Sequence, residues 1–492
     1  MMLKYLKVWL PKIILALAIL FLILQFVPAL KMFFINGWNA IKFPYTLDYG
    51  EGPLLDQTLR LAHFQNIYHN NLGVPPYTIS NYPPLFPLVQ IPFLWIFGPA
   101  LWYGRLLSLL SVLATAMFIG LTMRSITSSN LAGVIGGLMF LSIPYVMYWG
   151  SFNRIDCLAL GLSWAGLYLL VSKPNSRRGL IMAAALLTAS IFTRQSYALA
   201  APLAAFVWLL RQPPRRKAFE LALMVVGACL VLGLLLTLFT WGGFYLNIIT
   251  ANVNTFKWQS VLDTAKEIWK YLYYLVIGEG IFLLAGAIPF SRAKTWWLVA
   301  PYLVGAALSA MTIGKVGSNV NYLLELSAAL GAVGGAVVVW LNQKYWIWRV
   351  IMVILLAFQV NTLNQWSQKE YYPRNEIRYF VDFRDLERLN TIVKETKGSV
   401  LADEHMALIP MNGKNLVFQP FEFKQMSNSG LWDQQPFVES IQHKEYALII
   451  LYDPSTWDSQ RERWTAEQLD AIYTYYDRGR RLADTVVYTP LP

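Results

Sequence analysis

Two carboxylates stand three residues apart in a short stretch with two glycines, Asp48-Tyr49-Gly50-Glu51-Gly52. A carboxylate can take a proton from a hydroxyl group, and glycine allows another molecule to approach the backbone closely. The spacing therefore suits a general base beside an acceptor hydroxyl, with Asp48 or Glu51 as the base. A solvated loop without chemistry fits the same residue types.

Three basic residues stand at the ends of apolar runs, where cations suit a phosphate group. Arg194 lies in a short polar break between two such runs, and Lys315 lies in the polar link 314–319. Arg154 precedes another run, two residues before Asp156. Charges at membrane depth are costly, so they are functional candidates by default. The alternatives are an ion pair or interface anchor for Arg154 and Asp156, and snorkelling for Lys315.

Other polar residues fall beside these candidates and are expected to support them. They are Asp156, Asn319, Tyr322 and Glu325. Glu279 lies between two glycines inside an apolar run, where a hydrogen bond between packed helices also explains it. The four histidines are scattered, and no pair has the spacing of metal ligands, so we predict no metal site.

The elements that must position these residues are strongly apolar. The chain is 56% hydrophobic and only 14% charged, whereas soluble proteins are about 25% charged. The net charge of +12 does not indicate a nucleic-acid partner, because the basic residues form short clusters between apolar runs. Cys157 and Cys229 lie in apolar runs and are interpreted as membrane-core residues rather than a disulfide.

A membrane-spanning helix needs about 20 apolar residues, and the sequence predicts about eleven such spans. The predicted spans are Pro11–Phe33, Leu101–Met123, Leu131–Trp149, Asp156–Val171, Gly179–Phe192, Tyr197–Leu210, Phe219–Phe239, Tyr271–Phe290, Thr295–Ile313, Val320–Leu341 and Ile347–Leu363. Lysines near the N-terminus place that end in the cytoplasm. The proline-containing run Pro84–Phe97 is only about 14 residues long, so we expect it to lie in the outer interface.

Two parts of the chain are expected outside the membrane. The first is an outer loop at about residues 36–95, and the second is a small α/β domain of mixed helical and strand-like runs. We therefore divide the chain into a transmembrane domain at 1–365 and an extracytoplasmic domain at 366–492. The helical patterns are Phe383–Glu395 and Ala466–Tyr476, and the strand-like runs are Ser399–Ala402, Tyr446–Leu451 and Thr485–Tyr488.

The transmembrane domain resembles the membrane glycosyltransferases of the GT-C fold class, which use polyprenyl-phosphate sugars. This class includes protein O-mannosyltransferases and the aminoarabinose transferases that modify lipid A. The resemblance rests on the long acidic first loop, with Asp48 and Glu51 where the class carries an Asp-Glu type motif. It also rests on Tyr82-Pro83-Pro84-Leu85, on Arg105 at the start of the next span, and on the late link from Lys315 to Tyr322.

The resemblance implies that a loop carboxylate is the catalytic base and that basic residues hold the lipid phosphate. A polyprenyl-phosphate sugar would be the donor, and the acceptor would be a glycan, a lipid or a protein. Reaction by one inverting displacement at the plasma (inner) membrane needs no cofactor, although the sequence leaves dependence on a divalent metal open. No partner other than these substrates and the membrane lipid is implied.

Two other classes of protein fit a polar cavity between spans. A transporter or lipid flippase would have such a cavity, but the sequence shows no internal repeat and its polar groups lie toward one face. A structural subunit of an envelope-glycan assembly complex would use the C-terminal domain as its contact. Turnover of a lipid-linked sugar by the purified protein separates the enzyme from both.

Overall fold

A computed structural model describes residues 2–287, 294–340, 346–376, 379–380, 382–453 and 462–492. The ends of two predicted spans, at Phe290 and Leu341, lie outside these residues. Helices form most of the described chain up to residue 376, and a small sheet follows near the C-terminus. This is the predicted class of fold, a helical membrane domain with a small α/β domain.

The apolar runs form helices because an isolated backbone in lipid must satisfy its own hydrogen bonds. The helices of this part are α1 (Met2–Lys42), α2 (Glu51–Ala62), α3 (Leu85–Phe97), α4 (Trp102–Thr127), α5 (Asn130–Ser142), α6 (Pro144–Trp149), α7 (Asp156–Ser172), α8 (Arg177–Thr193), α9 (Ala200–Leu210), α10 (Arg216–Phe239), α11 (Gly243–Tyr245), α12 (Trp258–Ala287), α13 (Trp296–Ala310), α14 (Leu324–Trp340), α15 (Trp346–Trp366) and α16 (Tyr372–Glu376).

Each predicted span coincides with helix in the described residues, although six helices satisfy a strict test of length and apolar character. Several others are short, such as α5 with 13 residues and α7 with 17. The helix α3 has 13 residues, too few for a span of about 20. The number of membrane crossings therefore remains a prediction.

The centre of the bundle is held together by close approach of helix backbones. A Cβ atom on Gly133 would lie 2.6 Å from the carbonyl oxygen of Gly120, and one on Gly137 would lie 2.6 Å from that of Ala116. These contacts join α4 to α5. Gly136 and Gly331 make a similar approach between α5 and α14. Small residues let helices gain packing contacts where lipid supplies no hydrophobic driving force between them.

The C-terminal domain carries a four-stranded sheet in the order β1-β2-β4-β3. Its strands are β1 (Ser399–Ala402), β2 (Tyr446–Tyr452), β3 (Tyr476–Leu482) and β4 (Thr485–Pro490). Strands β1 and β2 are parallel, and β4 is antiparallel to both of its neighbours. The described helices around the sheet are α17 (Phe383–Glu395), α18 (Leu408–Met411), α19 (Pro420–Asn428), α20 (Gln435–Gln442) and α21 (Ala466–Tyr475).

Backbone hydrogen bonds dock this domain onto the segment between α1 and α4, here called the first loop segment (residues 43–101). The Tyr77 N–H donates to the carbonyl of Val417 at 2.7 Å, and the Gln419 N–H donates to the carbonyl of Tyr77 at 3.0 Å. The Tyr77 ring packs 5.5 Å from the rings of Trp432 and Phe437. The first loop segment therefore completes the apolar core of the C-terminal domain.

Candidate active site

A cavity of about 1190 Å³ lies where the loops at one end of the helical bundle meet the C-terminal domain. Its charged lining residues come from both parts of the chain. They are Asp48, Arg154, Arg194, Lys315, Arg374, Asp382, Glu404, Glu422, Glu462, Arg463, Arg481 and Asp484. The predicted supporting residues Asn319 and Tyr322 also line it.

Asp48 points into this cavity from the first loop segment. Its Oδ2 atom lies 3.2 Å from Nη1 of Arg154 and accepts a hydrogen bond from the Gly50 N–H at 2.9 Å. The side chain retains 17% exposure, so a substrate can reach it. Burial raises the pKa of Asp48 above its usual value, against the lowering effect of Arg154.

Glu51 has a different environment, although it lies three residues from Asp48. Its two carboxylate oxygens contact Nε and Nη2 of Arg105 at 2.8 and 2.7 Å, and both side chains are fully buried. The carboxylate also accepts the N–H groups of Leu47 and Asn153, each at 2.8 Å. Burial raises the pKa of Glu51, but Arg105 and these hydrogen bonds outweigh burial and hold the pKa below its usual value. Glu51 does not line the cavity.

Arg105 explains why the first loop segment adopts this shape. Its Nη1 and Nη2 atoms also donate to the backbone carbonyls of Ala40, Phe43 and Tyr45, where α1 ends. One buried side chain thus joins α4, the end of α1 and the start of α2. The arrangement aims Asp48 outward from the loop and holds Glu51 in its interior.

Arg154 forms the wall next to Asp48. Its guanidinium lies 5.3 Å from the centre of the Trp149 ring, and 13% of its side chain is exposed. Burial lowers the pKa of Arg154, but Asp48, Tyr82, Glu51 and Tyr322 together raise it more, so the guanidinium stays charged. A cation at this position is paired with the candidate base and is open to the cavity.

Arg194 lies in the break between α8 and α9, where the sequence predicts a hairpin tip. The helix ends at Thr193, the Arg194 backbone is extended, and a short turn precedes α9. Its guanidinium forms an ion pair with Asp156 and lies 4.4 Å from the centre of the Tyr322 ring. Asp156 also accepts from Nε1 of Trp149 at 2.6 Å and is otherwise enclosed. Asp156 therefore orients Arg194, which faces the cavity.

Lys315 lies in the link between α13 and α14 and faces the same cavity. The backbone of this link is paired with residues 255–257: the Val316 N–H donates to Thr255 at 2.8 Å, and the Lys257 N–H donates to Gly314 at 2.7 Å. No carboxylate of the described ranges lies within ion-pair distance of Lys315. Its charge is therefore available to an anion in the cavity.

Glu325 takes no direct part in the cavity. It lies in the first turn of α14, is 3% exposed, and is absent from the lining. Asn319 caps the turn before α14 by accepting the Val320 N–H at 2.8 Å. Asn319 therefore shapes the link that carries Lys315, and Glu279 lies buried in α12.

The sequence analysis missed the wall that the C-terminal domain contributes. Glu422 accepts a hydrogen bond from the Tyr49 hydroxyl at 2.8 Å, and Arg463 lies 4.7 Å from the centre of the Tyr49 ring. Arg463 also pairs with Glu404 at 2.6 Å. No motif marks these residues, because they reach the site only through docking of the domain.

The arrangement can carry out proton transfer next to an anion. Asp48 supplies a partly buried carboxylate, and three cations surround the space beside it. In the described part of the chain, no three His, Cys, Asp or Glu side chains group as metal ligands.

The order of helices, loop segment and terminal sheet domain defines a known fold. The structure is similar to ArnT from Cupriavidus metallidurans bound to undecaprenyl phosphate, with a TM-score of 0.58 and 14% identity over 95% of this chain and 97% of that chain. It is also similar to the archaeal oligosaccharyltransferase AglB from Archaeoglobus fulgidus in complex with an inhibitory peptide and a dolichol-phosphate. That match has a TM-score of 0.51 and 11% identity over 99% of this chain and 75% of the other.

A structure of the Archaeoglobus fulgidus oligosaccharyltransferase in complex with Zn and sulfate is a further match. It has a TM-score of 0.56 and 12% identity over 96% of this chain and 73% of that chain. The protein therefore has the GT-C fold of membrane glycosyltransferases, and the resemblance seen in the sequence is confirmed.

A family match adds a second level of similarity. Residues 81–241 match the family described as dolichyl-phosphate-mannose-protein mannosyltransferase. This region contains Arg105, Arg154 and Arg194, and it begins after Asp48. A comparison with curated proteins finds no match.

Proposed function

We propose that this protein is a membrane glycosyltransferase that moves a sugar from a polyprenyl-phosphate donor to a hydroxyl group of an acceptor. The observation that carries the proposal is the placement of Asp48 beside Arg154, Arg194 and Lys315 in one cavity. A base for the acceptor and cations for a phosphate are the two requirements of this reaction. The fold and the family match support the same class of reaction.

Asp48 is the proposed general base. In the proposed step, the acceptor oxygen attacks the anomeric carbon and loses its proton to Asp48. The bond from that carbon to the phosphate oxygen breaks at the same time, and polyprenyl phosphate leaves with the electron pair. Attack from the face opposite the phosphate inverts the anomeric configuration. Glu51 is a positioning residue, because all its contacts hold the loop that carries Asp48.

Lys315, Arg194 and Arg154 are the proposed partners of the phosphate. The leaving phosphate gains charge as the bond breaks, and preorganised cations stabilise that charge. Lys315 is the least constrained of the three, because Arg194 already pairs with Asp156 and Arg154 with Asp48. We expect Lys315 to make the contact that forms only when the lipid phosphate is bound.

The proposed location is the plasma (inner) membrane, with the N-terminus in the cytoplasm and the cavity and C-terminal domain outside. Undecaprenyl phosphate and dolichol-phosphate occur in the structures of ArnT and AglB, and a carrier of that chemical class is the proposed donor lipid. The proposed acceptor is a glycan, a lipid or a protein. A lipid flippase would also bind the carrier but would not cleave its bond to the sugar.

Binding of undecaprenyl phosphate to the purified full-length protein tests the phosphate site. Lys315→Ala should weaken binding about ten- to hundredfold, because it removes a charge-assisted contact. Lys266→Ala is the matched control, since Lys266 is exposed on α12 and pairs only locally with Asp263. Equal affinity of Lys315→Ala and the parent protein would remove Lys315 from the site.

Release of polyprenyl phosphate tests the reaction itself. The protein should release it from polyprenyl-phosphate-linked hexose or aminopentose donors when supplied with an extract of envelope glycolipids and glycans. Movement of the intact donor across liposome membranes without release would identify a flippase instead.

A further inference from the structure

The C-terminal domain reaches the candidate base through one tyrosine. Tyr49 follows Asp48 in sequence, and its hydroxyl donates to Oε2 of Glu422 at 2.8 Å while accepting the Phe421 N–H at 3.2 Å. Glu422 also lines the cavity. A carboxylate from α19 is therefore fixed at the same cavity as the proposed base.

Arg463 lies near two aromatic rings on this wall. Its guanidinium is 4.7 Å from the centre of the Tyr49 ring and 5.6 Å from that of Tyr452. One side of the guanidinium pairs with Glu404 at 2.6 Å. Its Nη1 atom is enclosed and has no hydrogen-bond partner among the residues that the structure describes. Leaving a buried donor unsatisfied costs about 1–3 kcal/mol, so an acceptor atom that reached Nη1 would stabilise this wall.

Two guanidinium groups of this wall are paired with carboxylates, whereas Lys315 has no such pair among the described residues. Arg463 pairs with Glu404, and Arg481 pairs with Asp453 at 2.9 Å. Balanced ion pairs do not attract a strongly charged ligand. They do present carboxylate acceptors and guanidinium donors side by side, next to aromatic faces. A hydroxyl group both donates and accepts hydrogen bonds, so neighbouring hydroxyls of a sugar ring match this pattern.

We propose that Glu422, Arg463 and Tyr452 form an acceptor subsite for a hydroxyl-rich, sugar-like molecule, which places one of its hydroxyls at Asp48. This inference rests on the proposed function and selects a glycan or glycolipid head group from the open classes of acceptor. A peptide is the rival occupant, because the edge strand β3 carries Arg481 to the cavity and has a free pairing edge.

Saturation-transfer NMR on the full-length protein in lipid nanodiscs tests the subsite, since detergents with sugar head groups would compete. The probes are maltose, lactose and chitobiose at millimolar concentration, and a serine- and threonine-containing hexapeptide. The parent protein should transfer magnetisation to at least one disaccharide. Glu422→Gln and Arg463→Lys should each weaken that binding about tenfold or more, since each removes hydrogen bonds to a charged or planar group.

Glu395→Gln is the matched control, because Glu395 is exposed on α17 and does not line the cavity. Undecaprenyl phosphate binding is measured on every variant, and unchanged affinity shows that the variant is folded. Disaccharide binding that persists in both site variants, binding of the peptide alone, or no binding of any sugar would overturn the subsite. If the parent protein binds a disaccharide but does not bind undecaprenyl phosphate, that result counts against the proposed function and not against the subsite.

Discussion

At the scale of single residues, two carboxylates with similar sequence contexts have different environments. Asp48 is partly exposed and meets one cation, whereas Glu51 is saturated by Arg105 and two backbone N–H groups. The sequence offers both as candidates but does not separate them, because their partners come from elements far along the chain. Arg154, Arg194 and Lys315 could be selected as candidates from the sequence, because isolated charges at the ends of apolar runs are conspicuous, and the structure places all three at one cavity. Their roles stay a prediction.

The first prediction separates the two carboxylates. Asp48→Asn should keep its fold and its affinity for undecaprenyl phosphate while transfer falls about 10²–10⁴-fold, the usual contribution of a general base. Glu51→Gln should lower stability by about 3–5 kcal/mol, because it leaves a buried arginine without its charge partner. Thermal unfolding and lipid binding, measured beside transfer, check both outcomes. A stable Glu51→Gln protein that binds donor but is inactive would reverse the assignment.

The second prediction concerns pH. Asp48 accepts a proton only when ionised, so transfer should fall as the pH drops through its pKa, which burial raises above the usual value. Arg154 lowers that pKa, so Arg154→Gln should raise it further and move the acid limb of the pH–rate profile to higher pH. Arg388→Gln, an exposed change on α17, should leave the limb in place. An unshifted limb in Arg154→Gln would mean that a group other than Asp48 titrates.

At the scale of elements, composition predicted most helices and three of the four strands. The strand β3 was missed because Tyr476–Leu482 reads as polar, with charged residues in its centre. It is an edge strand whose middle residues are exposed, so its sequence lacks the apolar pattern of β2. The break at Arg194 was predicted correctly, because a continuous helix there would have placed basic clusters on both sides of the membrane.

The third prediction tests how the helices approach one another. Gly137→Ala should destabilise the protein by about 1–3 kcal/mol, because the new methyl group would lie 2.6 Å from the Ala116 carbonyl oxygen. Gly227→Ala on α10 is the matched control, since a Cβ atom there meets nothing within 4 Å. Thermal unfolding of both variants in the same lipid gives the comparison. Equal unfolding temperatures of the two variants would show that α4 and α5 can move apart without loss of stability.

At the scale of the whole molecule, the sequence predicted two domains and a shared side for the charged loops. It did not predict how extensively the C-terminal domain and the first loop segment share a core, because contacts such as Tyr77 with Trp432 leave no local pattern. The division between residues 365 and 366 stays a prediction. Helix α15 runs to Trp366, and helical backbone continues to Glu376 among the described residues.

The fourth prediction is the orientation. In intact cells of a Cys157→Ser, Cys229→Ser background, an impermeant thiol reagent should label Lys397→Cys and should not label Asn175→Cys. Both positions are exposed in the structure. Lys397 lies in the C-terminal domain, and Asn175 lies next to Lys217 in a basic region predicted to face the cytoplasm. Labelling of Asn175→Cys without labelling of Lys397→Cys would show that the orientation is the reverse of the predicted one.

The fifth prediction follows from the shared core. A chain that ends after Gln365 should insert in the membrane, yet its first loop segment should become sensitive to protease, because Tyr77 and Ile79 lose their packing partners. Limited proteolysis of membranes from cells that make the full or the shortened chain measures this. Equal resistance near Tyr77 would show that the loop folds without the domain.

The hydrogen bond between Tyr77 and Val417 can form only late in synthesis, after the first part of the C-terminal domain has been made. The two ends of the Tyr49–Glu422 contact are 373 positions apart, a distance that takes on the order of tens of seconds to translate. Throughout that interval the proposed base, Asp48, precedes the wall that the C-terminal domain contributes, and by its later part Arg154, Arg194 and Lys315 have also been made. A nascent chain at this stage has a cavity open to water, where a bound donor would meet solvent before any acceptor. Under the proposed function, completion of the last domain is therefore the moment at which the protein becomes able to choose its acceptor over water.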